Sequence, residues 1–343
     1  MEAAEQPVLD FYLYPPIGGD DWRYGHQTAR VRVLEMHMLS RAILSDMAEA
    51  ENFEQAVDLL AAGEYALHHG GKSLADIENM LKLRRSAVRR LFDELMIDKP
   101  IVELFKSRSD FANLRLALRR VLAKKPLGND YIVEGNVSPQ VFGHVFESEN
   151  YELLPDYMAE AAERAIVAYY QNKDIRWVDY TIDRLQAEYN LKEARRLKSV
   201  FLLSLFRIQI DLTNIRTMLR LKFTESQQRD VFLKGGYVGL DKLEQGLELD
   251  YESAGQVFFA TPYGELVETG ANYLKSNSSF LAVEGQCENY LTGFLKTTIQ
   301  ITTGPQPIIA YLLMKENEIR NVRLILTAKR NFLDTKLILD RIL

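Results

Sequence analysis

Apolar residues recur at intervals of three or four along most of this chain, which is the spacing of one face of an α-helix. Near the start, Val31, Leu34 and Met38 follow this spacing with charged residues between them. Ser73, with Asp76 three residues later, predicts a capped helix start. Helices are predicted at 53–67, 73–91, 100–122, from 139, 155–170, 174–189, 191–223, 240–249, 251–259, 262–275, 280–300 and after residue 307. No convincing pair of strands is found, although there are β-branched stretches such as 297–303. The predicted fold class is therefore all-α.

The longest uninterrupted helical pattern spans residues 191–223, which contain no Gly or Pro. A helix of that length would form a rod of roughly 50 Å, at about 1.5 Å per residue. Such a helix is long for a globular domain, and it would suit a stiff element.

One short pattern, acid-x-x-Asn-aliphatic-Arg, occurs three times, each time late in a helical stretch. The signature residues of the three copies are Asp110, Asn113 and Arg115; Asp211, Asn214 and Arg216; and Glu318, Asn321 and Arg323. Successive copies begin 101 and 107 residues apart. Such spacing indicates one structural unit that is copied three times.

Segments outside the signature repeat as well. Gly-Asn-Val at 135–137 and Gly-Tyr-Val at 236–238 each begin twenty residues after the signature Arg of their copy. Pro155 and Pro262 stand in similar short segments that are 107 residues apart. The longer spacing predicts a loop insertion of about six residues between Val238 and Pro262.

The repeat predicts three similar helical domains, at 1–134, 135–235 and 236–343, with residues 1–22 as an irregular lead-in to the first. Each segment has the ordinary size of a domain. A threefold-repeated body favours a scaffold, because an active site usually breaks repeat symmetry.

The signature side chains do not converge on one centre. Successive helical residues are about 100° apart, so Asn113 lies about 60° and Arg115 about 140° from Asp110 around the axis. We expect the acid and the Asn to bond neighbouring helices and the Arg to pair elsewhere, because buried polar groups need partners. Replacing Arg115, Arg216 or Arg323 by Ala should therefore lower stability rather than abolish a chemical step.

Composition narrows the class of protein. With 47% hydrophobic and 26% charged residues, the chain has the make-up of a soluble globular protein. A net charge of −6 argues against a general nucleic-acid binder. Cys287 is the single cysteine, so no intramolecular disulfide is expected. No apolar run approaches the roughly 20 residues of a transmembrane helix, and the acidic start does not resemble a secretory signal.

Motifs for catalysis or cofactor binding are weak. Gly-Gly-Lys-Ser at 70–73 resembles the end of a phosphate-binding loop, but Ala66 stands where that loop needs Gly. His68 and His69 are adjacent, and neighbours on one backbone rarely ligate the same metal ion. A basic cluster at 82–90 is the best candidate for a partner-binding patch, although a solvated helix face explains each of its residues. We predict no catalytic, cofactor-binding or metal-binding residues.

Several segments together resemble a known family. They are GPQPIIAYL at 304–312, KENEIRNVR at 315–323, and stretches within 24–32 and 59–65. In this order, and with the threefold recurrence, they resemble the C subunit of the archaeal and bacterial V-type or A-type ATP synthases. The same family includes the d subunit of the eukaryotic vacuolar proton pump. The resemblance covers nearly the whole chain from Tyr24 onward.

The resemblance implies a pseudo-threefold funnel of three helical domains on the cytoplasmic face of the membrane. It implies a peripheral, non-catalytic rotor subunit that binds the membrane rotor ring of proteolipid subunits and the central shaft, and passes torque between them. It also implies no cofactor, no small-molecule substrate and no nucleic-acid partner. Residues 1–22 depart from the family pattern, and so does Phe332, which follows Asn331 where Gly is expected. The final turn is therefore expected to be altered.

Two other classes of function remain open at the level of sequence. A helical scaffold that recruits soluble partners would normally show shorter repeats, of roughly 33–47 residues. An all-α enzyme would need converging carboxylates or a histidine pair in an apolar-walled pocket.

Overall fold

The computed structural model describes residues 9–60, 64–65, 73–128, 130–148, 150–226 and 228–342. Every regular element in this part of the chain is helical, which confirms the all-α prediction. The α-helices are α1 (Gly25–Glu35), α2 (Arg41–Glu49), α3 (Phe53–Asp58), α4 (Leu74–Leu95), α5 (Lys99–Leu122), α6 (Pro139–Ser148), α7 (Asp156–Asn172), α8 (Arg176–Arg196), α9 (Val200–Phe223), α10 (Leu240–Glu248), α11 (Tyr251–Val257), α12 (Gly264–Asn277), α13 (Leu281–Lys296), α14 (Pro305–Arg330) and α15 (Thr335–Ile342). Short 3-10 helices cover Trp22–Tyr24, Tyr151–Leu153 and Thr297–Gln300.

The chain divides into two compact units. The middle unit consists of Leu9 and the described residues of Asp98–Glu244, and the terminal unit consists of the described residues of Asp10–Ile97 and Gln245–Leu343. Two of the three signatures lie in the middle unit and the third lies in the terminal unit. These boundaries follow the density of contacts, whereas the three predicted domains follow the repeat, so the three-domain division stays a prediction.

The middle unit is built around the first signature helix. Helix α5 packs against α6, α7 and α8, and α8 packs against α9. Phe111, Leu114, Phe142 and Met158 are buried in its apolar core. Phe111 comes directly after Asp110 in the sequence and belongs to this core. The first signature therefore lies next to the core.

The terminal unit is built around α14. This helix is contacted by α1, α2, α3, α4 and α13. Its residues from Gln306 to Leu312 are all buried, including the run Ile308, Ile309 and Ala310. A helix that is apolar on every side in its first half is the central element of its unit.

The segment before α1 is held in place by polar contacts within the terminal unit. Asp20 accepts the backbone N–H of Thr302 at 2.8 Å, Gln306 Nε2 donates to Gly19 O at 2.9 Å, and Tyr290 donates its hydroxyl to Leu13 O at 2.6 Å. The described part of the predicted lead-in is therefore irregular but packed against the start of α14.

The predicted rod at 191–223 is wrong. Helix α8 ends at Arg196 and α9 begins at Val200, because Lys198 adopts a left-handed backbone with φ 51°. Ser199 then accepts the N–H of Leu202 at 3.2 Å and starts the new helix. Ser199 before an apolar run was the available signal for a helix start.

Other element boundaries differ less from the sequence. The Ser73 capping box is present, and its helix α4 extends to Leu95. The helix predicted at 53–67 ends at Asp58, and residues 61–63 and 66–72 are outside the described part of the chain. The predicted insertion before Pro262 includes helix α11, which stands where the preceding copy has the three-residue 3-10 helix at 151–153.

The three signature helices end in the same way. Nine residues after each signature Arg stands a residue with left-handed backbone: Lys124, Glu225 and Phe332, with φ 54°, 52° and 55°. The following N–H bonds the carbonyl five residues back in each copy, Lys125 to Arg120 O, Ser226 to Leu221 O and Leu333 to Ala328 O, at 2.8–3.0 Å. This is the Schellman cap, in which Gly is usual at the left-handed position. Phe332 thus keeps the turn that we expected it to alter.

Candidate functional site

The acid of the first signature is buried and receives three hydrogen bonds. Asp110 accepts the backbone N–H of Val137 at 3.1 Å, the amide of Asn136 at 2.8 Å and the hydroxyl of Tyr157 at 2.8 Å. Burial, reinforced by the nearby carboxylate of Asp110, raises the pKa of Tyr157 above its ordinary value. Asp110 thus ties α5 to the segment that leads into α6 and to α7.

The acid of the second signature repeats this arrangement. Asp211 is buried on α9 and accepts the backbone N–H groups of Tyr237 and Val238, both at 3.0 Å. Val137 and Val238 each lie 27 residues after their acid and two residues before the next helix, α6 or α10. The two carboxylates therefore hold equivalent points of their copies, namely the backbone just before the next helix.

The signature Asn residues bind peptide units. Asn113 donates to Ile132 O and accepts from Ile132 N, both at 2.8 Å. Asn214 does the same with Leu233, again at 2.8 Å for both bonds. In each copy the bound residue stands 19 positions later. An Asn side chain presents an N–H donor and a C=O acceptor, as a peptide group does. It can therefore bond both the C=O and the N–H of a single residue.

Glycine is required where these segments pass the carboxylates. A Cβ on Gly135 would overlap Asp110 Oδ1, and a Cβ on Gly236 would overlap Asp211 Oδ1. The Gly recurrence in the sequence therefore reflects a close approach of backbone to carboxylate.

The third signature uses a different partner segment. Glu318 on α14 accepts the N–H of Leu39 at 2.7 Å and the hydroxyl of Tyr65 at 2.5 Å. Leu39 lies two residues before α2, as Val137 lies two residues before α6. The acid of the last repeat thus holds the segment that leads into α2, which belongs to the first repeat.

Glu318 also belongs to a buried charged cluster. Lys315 is 1% exposed, and its Nζ lies 2.7 Å from Glu318 Oε1 and 3.0 Å from Glu64 Oε2. Burial and the charge of Glu318 raise the pKa of Tyr65 well above its ordinary value. A buried ammonium group needs such compensation, so this cluster ties α14 to residues 64–65.

The signature Arg residues pair away from the acids. Arg115 pairs with Asp183, and its Nε lies 3.6 Å from Asp179 Oδ1. Arg323 lies 2.8 Å from Glu78 of α4, and the half-buried Arg216 also has a partner within the protein. We expected the acid and the Asn to bond neighbouring helices, and this needs a correction. In the first two copies, both side chains bond mainly the connecting segment that follows their own helix.

A cavity of about 800 Å³ lies within the terminal unit. Its lining includes Met38, Met314 and Ile299 as well as Glu318 and Asn321 of the third signature. Among the described residues, the Oδ1 atom of Asn321 has no hydrogen-bond partner. The third Asn thus differs from the other two, which each bind a peptide unit of their own chain.

The weaker motifs contribute no further site. His68, His69 and residues 70–72 are outside the described part of the chain. Within the described part, no group of three His, Cys, Asp or Glu side chains is placed to hold a metal ion. In the basic cluster of α4, Arg89 lies 2.9 Å from Glu316 and Arg84 lies 3.6 Å from Glu64, so these two residues serve contacts inside the terminal unit.

None of the helices described here combines the length and the apolar content that crossing a membrane requires.

The fold and the signature contacts define the class: an all-helical repeat protein in which recurring polar residues fasten one segment of the chain to the next. The sequence profile of the ATP synthase (C/AC39) subunit family matches residues 27–341, and the chain belongs to that family. The resemblance predicted from the sequence is thereby confirmed.

Three relatives illustrate the membership. The C subunit of the V-type sodium ATPase of Enterococcus hirae is 23% identical over 91% of this chain and 95% of its own length. The C subunit of the V-type ATP synthase of Thermus thermophilus is 25% identical with the same coverage. The C subunit of the A-type ATP synthase of Pyrococcus abyssi is 24% identical over 88% of this chain and 85% of its own.

Proposed function

We propose that this chain is a non-catalytic central-stalk subunit of a V/A-type rotary ATPase or ATP synthase, and that it couples the membrane rotor ring to the central shaft. The observation that carries the proposal is the family match over 27–341, with relatives that are each named as the C subunit of such a complex. Its partners are then the proteolipid subunits of the ring and the subunits of the shaft. Its place is the cytoplasmic face of the membrane, as a peripheral subunit.

The internal contacts support a stiff adaptor. A coupling element must not bend under torque, and the signature carboxylates, buried and bonded, fasten each repeat to the start of another. We further propose that the three repeats form a pseudo-threefold funnel. The contact of the third signature with Leu39, before α2, supports this proposal.

The test is ATP-driven ion pumping, with ATP hydrolysis recorded alongside, in membranes stripped of this chain and then resupplied with it. We expect hydrolysis to continue without the chain and pumping to return only when it is added back. Pumping that is indifferent to the chain would contradict the proposal and favour a scaffold for soluble partners.

A further inference from the structure

The segment before α1 lies on the terminal unit in the way that a bound peptide lies in a groove. Residues 14–20 form no regular secondary structure. Pro15 and Pro16 fix their own φ angles, and a Pro also keeps the residue before it out of the helical region, so the segment favours an extended backbone. Pro15 and Ile17 are buried and Pro16 is exposed, which is the alternation of an extended chain with one side against a surface.

The groove that receives this segment is aromatic. The ring of Tyr14 lies 5.2 Å from that of Tyr290 and 6.3 Å from that of Phe294, both on α13, and Tyr290 in turn lies 4.8 Å from Tyr263. Gly293 stands between the two aromatic residues of α13, and a Cβ on it would overlap the hydroxyl oxygen of Tyr14. The three atoms nearest to such a Cβ all belong to Tyr14, so the notch at Gly293 accommodates that one side chain.

Two side chains of the groove bind carbonyl groups of the segment. Tyr290 donates its hydroxyl to Leu13 O at 2.6 Å, and Gln306 Nε2 donates to Gly19 O at 2.9 Å and to Ile17 O at 3.3 Å. An extended Pro-rich peptide makes no hydrogen bonds within itself, so its carbonyl groups are available to such donors. Aromatic-lined grooves are a recurrent way of recognising peptides of this kind.

The seated segment also holds the backbone that leads into α14. Asp20 accepts the N–H groups of Thr302 at 2.8 Å and of Thr303 at 3.3 Å, and Asp21 N donates to Thr303 O at 2.8 Å. The family profile begins at residue 27, so these contacts are made by a part of the chain that the profile does not cover.

We propose that the groove formed by Gly293, Tyr290 and Gln306 is a peptide-binding site, and that residues 13–19 are its ligand, held as a strap that can leave while the rest of the terminal unit stays folded. The ligand class is an extended peptide in which a Tyr precedes two Pro and an aliphatic residue. Its Tyr ring enters the notch, and its carbonyl groups accept from the two donors of the groove. Because the strap is joined to the chain, it acts at a high effective concentration and excludes the same peptide from solution.

The first test is amide hydrogen exchange in the full chain, which reports local opening. Tyr14→Ala removes the ring and Gly293→Ala fills the notch, so each should speed exchange at Asp21, Thr302 and Thr303 by about tenfold or more. The N–H groups in the middle of α14 should keep their protection. Tyr12→Ala is the matched control, because Tyr12 is 96% exposed. Unaltered exchange at these three positions, or an equal loss of protection along α14, would overturn the proposal.

The second test measures binding of a separate peptide. A fluorescent peptide of residues 10–19 is added to the full chain with Tyr14→Ala, in which the groove is intact and the strap has lost its ring. It should bind this chain at least about tenfold more tightly than the wild type, whose own strap fills the groove. The peptide with Tyr14→Ala should bind at least about tenfold more weakly than the unaltered peptide, and the peptide with Tyr12→Ala should bind equally well.

The peptide site fails if the Tyr14→Ala chain, once exchange has shown its strap to open, binds the peptide no better than the wild type does. It fails as well if loss of the Tyr14 ring from the peptide does not weaken binding. The site does not depend on the central-stalk function, which the pumping experiment tests separately.

Discussion

At the scale of single residues, the length of a carboxylate side chain decides how near the backbone must come. Asp110 and Asp211 are short, and each is approached by a Gly whose Cβ would overlap the carboxylate. Glu318 is one methylene longer, and by the alignment of Leu39 with Val137 the corresponding position is His37. In the sequence, the shorter Asp is thus matched with Gly at this position and the longer Glu with a larger residue.

Gly236→Ala should destabilise the middle unit by about 2 kcal/mol or more, because the new methyl group would displace Asp211 from its backbone donors. Gly143→Ala in α6 is the matched control. A Cβ there meets no atom within 4 Å, so stability should stay level or rise by up to about 1 kcal/mol. Urea unfolding followed by circular dichroism measures both. Similar free energies of unfolding for the two variants would contradict the close-approach explanation.

Tyr157 predicts a pH dependence of stability. Its pKa is raised in the folded state, chiefly by burial and then by Asp110, so the folded protein holds this proton more tightly than the unfolded chain. The contribution is fully present below the unfolded pKa of about 10 and is lost as the pH rises above it. The free energy of unfolding should fall between about pH 10 and 11, and less steeply in Tyr157→Phe than in the wild type. The control Tyr170→Phe changes an exposed residue, and a slope that Tyr157→Phe leaves unaltered would count against this assignment.

At the scale of elements, the three signature helices end with the same backbone conformation although the residue at the turn differs from copy to copy. Lys124, Glu225 and Phe332 all adopt the left-handed conformation that Gly adopts without strain. The sequence predicted that Phe332 would alter the last turn. The structure keeps that turn, because the hydrogen bond from Leu333 N to Ala328 O closes it as in the other two copies.

Phe332→Gly should stabilise the protein by about 1 kcal/mol, because it relieves the left-handed strain. The side chain is 92% exposed, so little packing is lost. Phe332→Ala removes the same ring but keeps the strain, and it should leave stability nearly unchanged. Thermal unfolding of the three proteins compares them directly; stabilisation by Ala as large as that by Gly would assign the effect to the ring instead.

The elements also show which features a single sequence can predict. Periodicity located most helices, because their apolar faces are packed against a core. It missed the break at Lys198, because a non-Gly residue in the left-handed region carries no compositional signal of its own, and only Ser199 marked the start of the next helix. The signature itself was recognisable from spacing, and so was the Gly that follows it. The peptide units held by Asn113 and Asn214 were not, since Ile132 and Leu233 are bound through backbone atoms, which every residue type has.

At the scale of the whole molecule, the terminal unit depends on contacts between distant parts of the sequence. Glu318 binds Leu39 across 279 positions, and α14 is contacted by α1, α2, α3 and α4. Nothing in the local pattern around Leu39 indicates this partner, so the contact could not be predicted from spacing. In the middle unit, in contrast, both signatures and the backbone segments that they bind lie within the one stretch Asp98–Glu244.

This difference predicts how fragments behave. Residues 98–239 keep Val238 and end before α10, so the fragment should be helical and unfold cooperatively on its own. Residues 10–97 should not, because α1, α2, α3 and α4 would lack α14 to cover their apolar faces. Mixing 10–97 with 245–343 should restore helical signal, and Glu318→Ala in the second fragment should weaken that recovery because it removes the acceptor for Leu39 and Tyr65. Circular dichroism of each fragment and of the mixture decides the matter. An independently folded 10–97 fragment would mean that α14 is not the element on which the terminal unit assembles.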